Sequence, residues 1–169
     1  ETINAAGVLQ VPMVISVWDD DYGISVHAKY QTTKENISEV LRGFQRDSNA
    51  NGFEILRVKG WDYANCVETF QEASLIARNE HVPVLIHVQE LTQPQGHSTS
   101  GSHERYKDTK RLAWEAEFDC NKKMREWIIE SGIATNETLT SIERIIKRDV
   151  KEGRKNAWDV FLRPIQKEQ

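Results

Sequence analysis

The feature that most constrains this chain is an apolar run that ends in three carboxylates. Residues 13–18 read Met-Val-Ile-Ser-Val-Trp and are followed at once by Asp19, Asp20 and Asp21. A nearly continuous run of this kind is typical of a strand buried on both faces, as in a parallel sheet. The acidic triplet then lies at the carboxyl end of the strand, where open parallel sheets bind their ligands.

The segments that follow predict an α/β fold. Residues 53–58 alternate enough for a second strand, and residues 82–88 form a third, almost wholly apolar one. Between them, Asp62 is placed to cap a helix that extends to about residue 77. A shorter amphipathic helix is predicted over residues 37–44. Strand, helix and strand at this spacing form a βαβ unit, so we expect a mostly parallel sheet flanked by helices.

The C-terminal part of the sequence predicts a long helical region. Residues 112–129 and 139–162 each have the periodicity of a long amphipathic helix. We therefore expect a single domain over residues 1–169, with a βαβ core at 12–107 and a helical tail at 108–169. The buried side of the last helix is predicted at Leu139, Ile142, Ile145 and Ile146.

Composition and missing motifs exclude several classes of function. With 22 basic and 26 acidic residues the net charge is −4, so the basic stripe of a nucleic-acid binder is not expected. No apolar run reaches the roughly 20 residues that cross a bilayer, and no leader sequence is recognisable, so we expect no membrane segment. Cys66 and Cys120 lack metal-binding spacing and indicate a reducing, cytoplasmic compartment. Dinucleotide, P-loop and zinc-protease motifs are absent from the sequence.

The acidic triplet itself admits two interpretations. Three adjacent carboxylates repel one another unless they are solvated or neutralised, and a hard cation such as Mg²⁺ would neutralise them. The alternative is an acidic turn that ends a strand in water. Residue types and spacing alone leave both interpretations open.

A second candidate segment lies after the third strand. Residues 91–107 are polar and without periodicity, and loops of this length in compact domains are usually functional or mobile. His97 precedes the hydroxyl residues 98–100 and could titrate near neutral pH, although a lone loop histidine is more often a solvated surface residue. No acidic residue has the spacing of a Ser-His-Asp triad. The other histidines lack metal-ligand spacing and are expected to be structural or exposed: His27, His81, His87 and His103.

These two segments resemble a known family, the alpha part of the thiamine-diphosphate-dependent decarboxylating component of 2-oxo acid dehydrogenases. The resemblance is greatest to the bacterial form in which alpha and beta parts are fused. Residues 17–25 are similar to the family's Asn-Asn-x-Tyr-Ala-Ile-Ser, the second half of its thiamine diphosphate motif. Residues 96–100 and the pair Tyr106-Lys107 resemble its His-Ser-Thr-Ser loop and Tyr-Arg/Lys pair. The similarity covers residues 12–163 and implies a partial thiamine-diphosphate-binding fold, the C-terminal fragment of the alpha domain.

The resemblance implies a role for particular residues. Asp20 stands where the family has its Mg²⁺-ligating Asn, and Tyr22 would offer its backbone carbonyl to the same ion. Ile24 lies in the stretch that packs beneath the bent cofactor. His97 corresponds to a catalytic histidine at the active-site mouth, which also contacts the cofactor and serves acyl transfer to lipoamide.

The resemblance also assigns the surroundings of that histidine. Tyr106 and Lys107 would anchor the loop, and Ser98 occupies the position that animal relatives phosphorylate. Trp18 departs from the pattern, because relatives often have a phosphate-contacting Arg there. The family's upstream Gly-Asp-Gly does not occur in this sequence, and its catalytic Glu belongs to the beta part.

The implied activity belongs to a larger protein. The parent would decarboxylate pyruvate or a branched-chain 2-oxo acid with thiamine diphosphate and Mg²⁺, and would pass the acyl group to lipoamide. Its implied partners are the beta part, the lipoyl acyltransferase component and further copies of itself. We expect the fragment alone to be inactive and to hold the cofactor weakly. The alternative is a non-catalytic assembly module that docks a partner through its C-terminal helices.

Overall fold

The computed structural model describes residues 1–48, 51–93 and 102–167. The chain forms two compact units, residues 1–124 and 125–169. The expected single domain, divided at residue 107 into a core and a tail, stays a prediction.

The first unit contains all the described strands. They are β1 (Val14–Trp18), β2 (Tyr22–Gly23), β3 (Val26–His27), β4 (Glu54–Lys59) and β5 (Val84–Gln89). The helices of the chain are α1 (Thr2–Leu9), α2 (Ile37–Val40), α3 (Tyr63–Leu75), α4 (Thr109–Glu117), α5 (Cys120–Glu130) and α6 (Asn136–Lys167).

The main sheet is parallel, with the strand order β1-β5-β4. Trp18 at the end of β1 and Val58 near the end of β4 both lie beside Val88 of β5. The carboxyl ends of the three strands therefore meet at one edge of the sheet. This confirms the predicted α/β class, a partial fold with a mostly parallel sheet and a helical C-terminal region.

The core explains why β5 is so apolar. Val84, Ile86 and Val88 are buried on one face of the sheet, where they pack with residues that include Ala73 of α3. Leu85 is buried on the other face, together with a second cluster that includes Ala6, Phe53 and Ile15. Because β5 is the central strand and is covered on both faces, nearly all its side chains leave water.

The predicted helix after β4 forms with the expected cap. The Asp62 carboxylate accepts the backbone N–H of Asn65 at 3.2 Å, so it satisfies a donor that the first turn would leave free. The helix passes into a π-helical turn, Ile76–Glu80, and ends at His81 with a φ of 56°. A left-handed residue is a common way to end a helix.

Two helices that were predicted to be continuous are each divided in the structure. Residues 112–129 are divided between α4 and α5, because Asp119 caps a new helix by accepting the N–H of Lys122 at 2.9 Å. Residues 37–44 form the single turn α2 followed by a 3-10 turn, Arg42–Phe44. The strand pair β2–β3 and the helix α1 were not predicted.

The second unit consists mainly of α6, which spans 32 residues without interruption. The predicted helix over 139–162 is confirmed and longer than expected. Its predicted buried side was wrong, because the exposed fractions of Ile142, Ile145 and Ile146 are 49%, 44% and 54%. Nowhere in the described ranges is a helix both long and apolar enough to cross a bilayer.

Candidate functional site

The acidic triplet forms a tight turn at the end of β1. One Asp19 carboxylate oxygen accepts the N–H of Asp21 at 2.9 Å, and one Asp20 oxygen accepts the N–H of Tyr22 at 3.0 Å. Such Asx turns stabilise left-handed backbone, and Asp21 has a φ of 66°. The carboxylates therefore shape the turn, as the second interpretation of the triplet expects.

The turn lies against the end of β5. The N–H of Asp19 donates to the carbonyl of Val88 at 2.9 Å, and the N–H of Leu91 donates to the carbonyl of Asp19 at 3.2 Å. The chain that leaves β5 toward the polar segment thus starts beside the acidic turn. We name residues 19–24 the strand-tip turn.

Two of the three carboxylates have cationic or imidazole partners. The second oxygen of Asp19 lies 2.9 Å from Nε2 of the buried His87, and Oδ2 of Asp21 lies 2.6 Å from Nη1 of Arg111. Asp20 has no such partner in the described part of the chain. Asp20 is therefore the carboxylate of the triplet whose charge no described cation or imidazole matches.

Arg111 of α4 holds the strand-tip turn in place. Its Nη2 donates to the carbonyl of Asp20 at 2.8 Å and to that of Leu91 at 3.3 Å. Its Nε donates to Glu115 at 2.8 Å. Burial opposes the charge of Arg111, but the hydrogen bonds to Glu115 and Asp21 outweigh burial and raise the pKa of the guanidinium.

Lys107 and Glu115 form a buried ion pair, and Arg111 binds the same carboxylate. The Lys107 ammonium lies 2.7 and 2.8 Å from the two carboxylate oxygens of Glu115, and each residue is only 5% exposed. Lys107 also donates to the carbonyl of Gln93. One cation thus joins Gln93 and Glu115, which stand on either side of residues 94–101 in the sequence, and the anchoring expected of Lys107 stays a prediction.

Tyr22 packs among these charges. Its ring centre is 5.2 Å from the Lys107 ammonium, 5.3 Å from the Arg111 guanidinium carbon and 5.9 Å from the ring centre of Tyr106. Burial raises the pKa of the Tyr22 phenol, and the neighbouring positive charge of Arg111 opposes that rise. The predicted anchoring pair, Tyr106 and Lys107, therefore contacts the strand-tip turn directly.

Of the remaining predicted residues, Ile24 lies at the turn, and His97 and Ser98 lie outside the described residues. Ile24 is 55% exposed, has a φ of 62° and accepts a hydrogen bond on its carbonyl from Gln93 at 3.2 Å. His97 and Ser98 lie in residues 94–101, outside the described ranges. Their predicted roles in catalysis, cofactor contact and phosphorylation stay predictions.

Unsatisfied polar atoms gather on the two flanks of that loop. Four buried side-chain polar atoms in the described ranges have no hydrogen-bond partner, and three of them are Gln93 Oε1, His103 Nδ1 and Tyr106 OH. Buried polar groups normally have partners. Gln93 and Tyr106 both contact the strand-tip turn, so their unsatisfied atoms fit a place where a further polar group completes the site.

The donor chemistry suits part of a magnesium site. The Asp20 carboxylate and the Tyr22 carbonyl are oxygen donors on one turn, and Mg²⁺ prefers six oxygens, several of them from water and phosphate. Among residues 1–48, 51–93 and 102–167, no three His, Cys, Asp or Glu side chains gather to hold a metal. The residues present therefore fit a site to which this chain gives one or two ligands.

Sequence reasoning missed Arg111, Glu115 and His87. Arg111 and Glu115 are spaced i, i+4 after the helix cap Asp108, which is the signal of a paired helix face. His87 stands inside an apolar strand, where a polar side chain needs a buried partner. It was expected to be structural or exposed, and it is fully buried.

Comparison with known proteins decides the family. A family model described as "Dehydrogenase E1 component" matches residues 1–162. The chain belongs to this family. The resemblance seen in the two motifs is thereby confirmed, including its assignment to the alpha component of a 2-oxo acid dehydrogenase.

Individual relatives are distant and longer. The chain is 22% identical over 151 residues to a pyruvate dehydrogenase E1 component subunit alpha of Rickettsia typhi, covering 89% of this chain and 44% of the relative. It is 26% identical to the mitochondrial 2-oxoisovalerate dehydrogenase subunit alpha 1 of Arabidopsis thaliana, and the match covers 97% of this chain and 31% of the relative. It is 24% identical to a 3-methyl-2-oxobutanoate dehydrogenase subunit alpha of Mycobacterium tuberculosis, and the match covers 90% of this chain and 40% of the relative. The chain thus spans less than half the length of each of these relatives.

Proposed function

We propose that this chain is part of a 2-oxo acid dehydrogenase that uses thiamine diphosphate to decarboxylate pyruvate or a branched-chain 2-oxo acid. The family match and the names of the relatives support the class of enzyme. The observation that carries the proposal is the strand-tip turn, where Asp20 alone of the three carboxylates lacks a charged or imidazole partner within the described ranges. That turn adjoins both flanks of the polar loop.

In this proposal the turn forms part of a magnesium and diphosphate site. Asp20 binds Mg²⁺ through its second carboxylate oxygen, and the backbone carbonyl of Tyr22 is a second ligand. Ile24 packs beneath the cofactor. When bound, thiamine diphosphate supplies the nucleophilic carbon and the electron sink for decarboxylation. Arg111 keeps the turn fixed, so that the two ligands are already in place when the ion arrives.

His97 is proposed to act after decarboxylation. At the mouth of the site it moves a proton while the acyl group passes to lipoamide, and it contacts the cofactor. Lys107 would support this role from a distance, because it binds Gln93, the last described residue before His97 in the sequence. A phosphate on Ser98 would place roughly −1.5 to −2 charges at the same entrance.

The chain requires partners for this activity. Relatives of this kind generally act with a beta subunit in a multienzyme complex, and here the beta part would supply the catalytic Glu. We propose the lipoyl acyltransferase component as the acyl acceptor, a homo-oligomeric parent and a cytoplasmic location. The fragment alone is proposed to be inactive, because it supplies only part of the metal site.

A calorimetric titration tests the proposal. Mg²⁺ and thiamine diphosphate are titrated into this chain and into a chain extended upstream through a Gly-Asp-Gly motif, each with the beta part present. The extended protein is expected to bind thiamine diphosphate only when Mg²⁺ is present, and this chain is expected to bind it weakly. Absence of Mg²⁺-dependent binding by the extended protein would contradict the proposal.

A second candidate function is supported by α6. The exposed side of this helix carries many large apolar residues, among them Ile142, Ile145, Ile146, Val150, Trp158, Phe161 and Ile165. Exposed apolar surface of this extent is typical of a protein-binding surface. If the extended protein binds a subunit through α6 but never the cofactor, a non-catalytic assembly role replaces the enzymatic one.

A further inference from the structure

His87 lies in the middle of the central strand β5 and is fully buried. It lies on the same face of the sheet as Leu85, since alternate side chains of a strand share a face. Its Nε2 is 2.9 Å from Oδ2 of Asp19, and its Nδ1 is 2.9 Å from the hydroxyl of Ser38, which is also fully buried. Both ring nitrogens are therefore in buried hydrogen bonds.

The hydroxyl hydrogen of Ser38 can be assigned from its second partner. Oδ1 of Asn36 accepts the backbone N–H of Glu39 at 3.1 Å, in the N-terminal cap of α2, so this atom is an acceptor. The Ser38 hydroxyl lies 2.8 Å from the same Oδ1. The single hydroxyl hydrogen must lie between these two oxygens, since Oδ1 has no hydrogen to give.

This assignment determines which nitrogens of the His87 imidazole carry a hydrogen. Because the Ser38 hydrogen points to Asn36, the hydroxyl presents a lone pair to His87, and Nδ1 must donate. Nε2 faces a carboxylate of Asp19, which accepts. Both nitrogens then carry hydrogen, and the buried imidazolium is matched by the carboxylate beside it.

We infer that His87 is a positioning residue of the strand-tip turn, held as an imidazolium between Ser38 and Asp19. Oδ2 of Asp19 binds His87, while Oδ1 accepts the N–H of Asp21. The cap of α2 is thus linked through His87 to the turn that carries Asp20. The link to magnesium binding rests on the proposed function, whereas the protonation of His87 and its effect on the turn do not.

The order Ser38, His87, Asp19 also occurs in hydrolytic triads, but here the serine is not a nucleophile. The Ser38 hydroxyl is inaccessible to a substrate, and its hydrogen points away from the imidazole. A catalytic serine instead gives its hydrogen to the histidine. The arrangement therefore orients Asp19 and does no chemistry of its own.

The proton assignment is tested by NMR on this chain labelled with ¹⁵N in its histidine rings. His87 is expected to show a directly bonded hydrogen on both ring nitrogens. His27 is the internal control, because its Nδ1 accepts the N–H of Lys29 at 3.1 Å and must lack a hydrogen. A His87 ring with one bare nitrogen at neutral pH would overturn the inference.

A substitution tests the source of this proton pattern. Asn36→Ala removes the acceptor of the Ser38 hydroxyl, which can then donate to His87. We expect the Nδ1 hydrogen of His87 to be lost in this variant while the Nε2 hydrogen remains. An unchanged His87 spectrum would contradict the assignment.

The positioning role is tested by amide exchange. In His87→Leu the N–H of Asp21 is expected to exchange about tenfold faster, because Leu has no hydrogen to donate to Asp19. His81→Asn is the control, since His81 is exposed and left-handed, a conformation that Asn tolerates. Unchanged Asp21 exchange in a folded His87→Leu protein would overturn the role; if that variant does not fold, the Asn36→Ala spectrum decides. None of these measurements needs cofactor, so their success alongside absent cofactor binding would contradict the proposed function alone.

Discussion

Nη1 of Arg111 lies 2.6 Å from Oδ2 of Asp21, although 90 residues separate them in the chain. The same guanidinium reaches the carbonyls of Asp20 and Leu91 and the carboxylate of Glu115. One side chain therefore joins the end of β1, the chain that leaves β5 and the helix α4. Arg111 therefore adds long-range contacts to the local hydrogen bonds by which Asp19 and Asp20 shape the strand-tip turn.

Loss of the Arg111 side-chain charge should destabilise the turn. Arg111→Gln is expected to lower the free energy of unfolding by about 2–3 kcal/mol, because hydrogen bonds between charged, partly buried groups are lost. Urea denaturation checks the value. Arg148→Gln, which removes an exposed pair with Asp149, should change it by less than about 0.5 kcal/mol. Equal effects of the two substitutions would contradict the role of Arg111.

Substitution of Glu115 should destabilise the protein more than substitution of its buried partner Lys107. Glu115→Gln leaves the Lys107 ammonium and Arg111 without their shared carboxylate, at an expected cost of about 3–5 kcal/mol. Lys107→Met should cost less, because Glu115 keeps its bond to Arg111 and Met fills the space of the Lys stem. Denaturation of both variants tests this order, and a larger effect of Lys107→Met would contradict it.

An exposed acid should titrate unusually low. Hydrogen bonds from Lys122 and Lys123 lower the pKa of Glu117 from 4.5 to about 2. Because the pKa is lowered on folding, the stabilisation is present above pH 4.5 and is lost as the pH falls toward 2. It should be small, since the pair is exposed and screened by salt. Carboxyl NMR titration of the Lys122→Gln, Lys123→Gln double variant should return the pKa toward 4.5; an unchanged value would contradict the assignment to these lysines.

The polar loop should matter for acyl transfer. In the complete enzyme, His97→Ala is expected to slow the acylation of lipoamide more than decarboxylation, because the histidine is proposed to move a proton in the later step. Single-turnover measurements of each half-reaction separate the two. Equal loss of both would contradict the proposed role, and His81→Asn should affect neither.

The sequence predicted the parts of the fold that depend on hydrophobic pattern. The strands β1, β4 and β5 and the capped helix α3 carry continuous or periodic apolar residues, and the structure has each of them within a few residues. The acidic turn was located from three adjacent aspartates after an apolar strand. The expectation that this strand is buried on both faces was wrong, because β1 lies at the edge of the sheet and Val14 and Trp18 are exposed. For β5 the local pattern was sufficient, because a strand buried on both faces accepts few side chains other than apolar ones.

The contacts that organise the site could not be predicted, because they join distant segments. Nothing near Arg111 in the sequence indicates that it binds Asp21, and His87 gave only the signal of a polar residue in an apolar strand. The division between α4 and α5 depends on the cap at Asp119, which a continuous helical periodicity concealed. The apolar face of α6 was expected to be buried because its pattern is that of a core helix, whereas Ile142, Ile145 and Ile146 are exposed.

The central claim is that Asp20 holds the magnesium ion of the cofactor site, and the affinity of the complete enzyme for thiamine diphosphate in the presence of Mg²⁺ tests it most directly. Asp20→Ala is expected to weaken that affinity by at least about 100-fold, since it removes a metal ligand. Asp20→Asn, which restores the family's residue and keeps an oxygen donor, should bind far better than Asp20→Ala, and Asp149→Ala on α6 should bind like the unmodified enzyme. An Asp20→Ala enzyme with unchanged affinity would contradict the account.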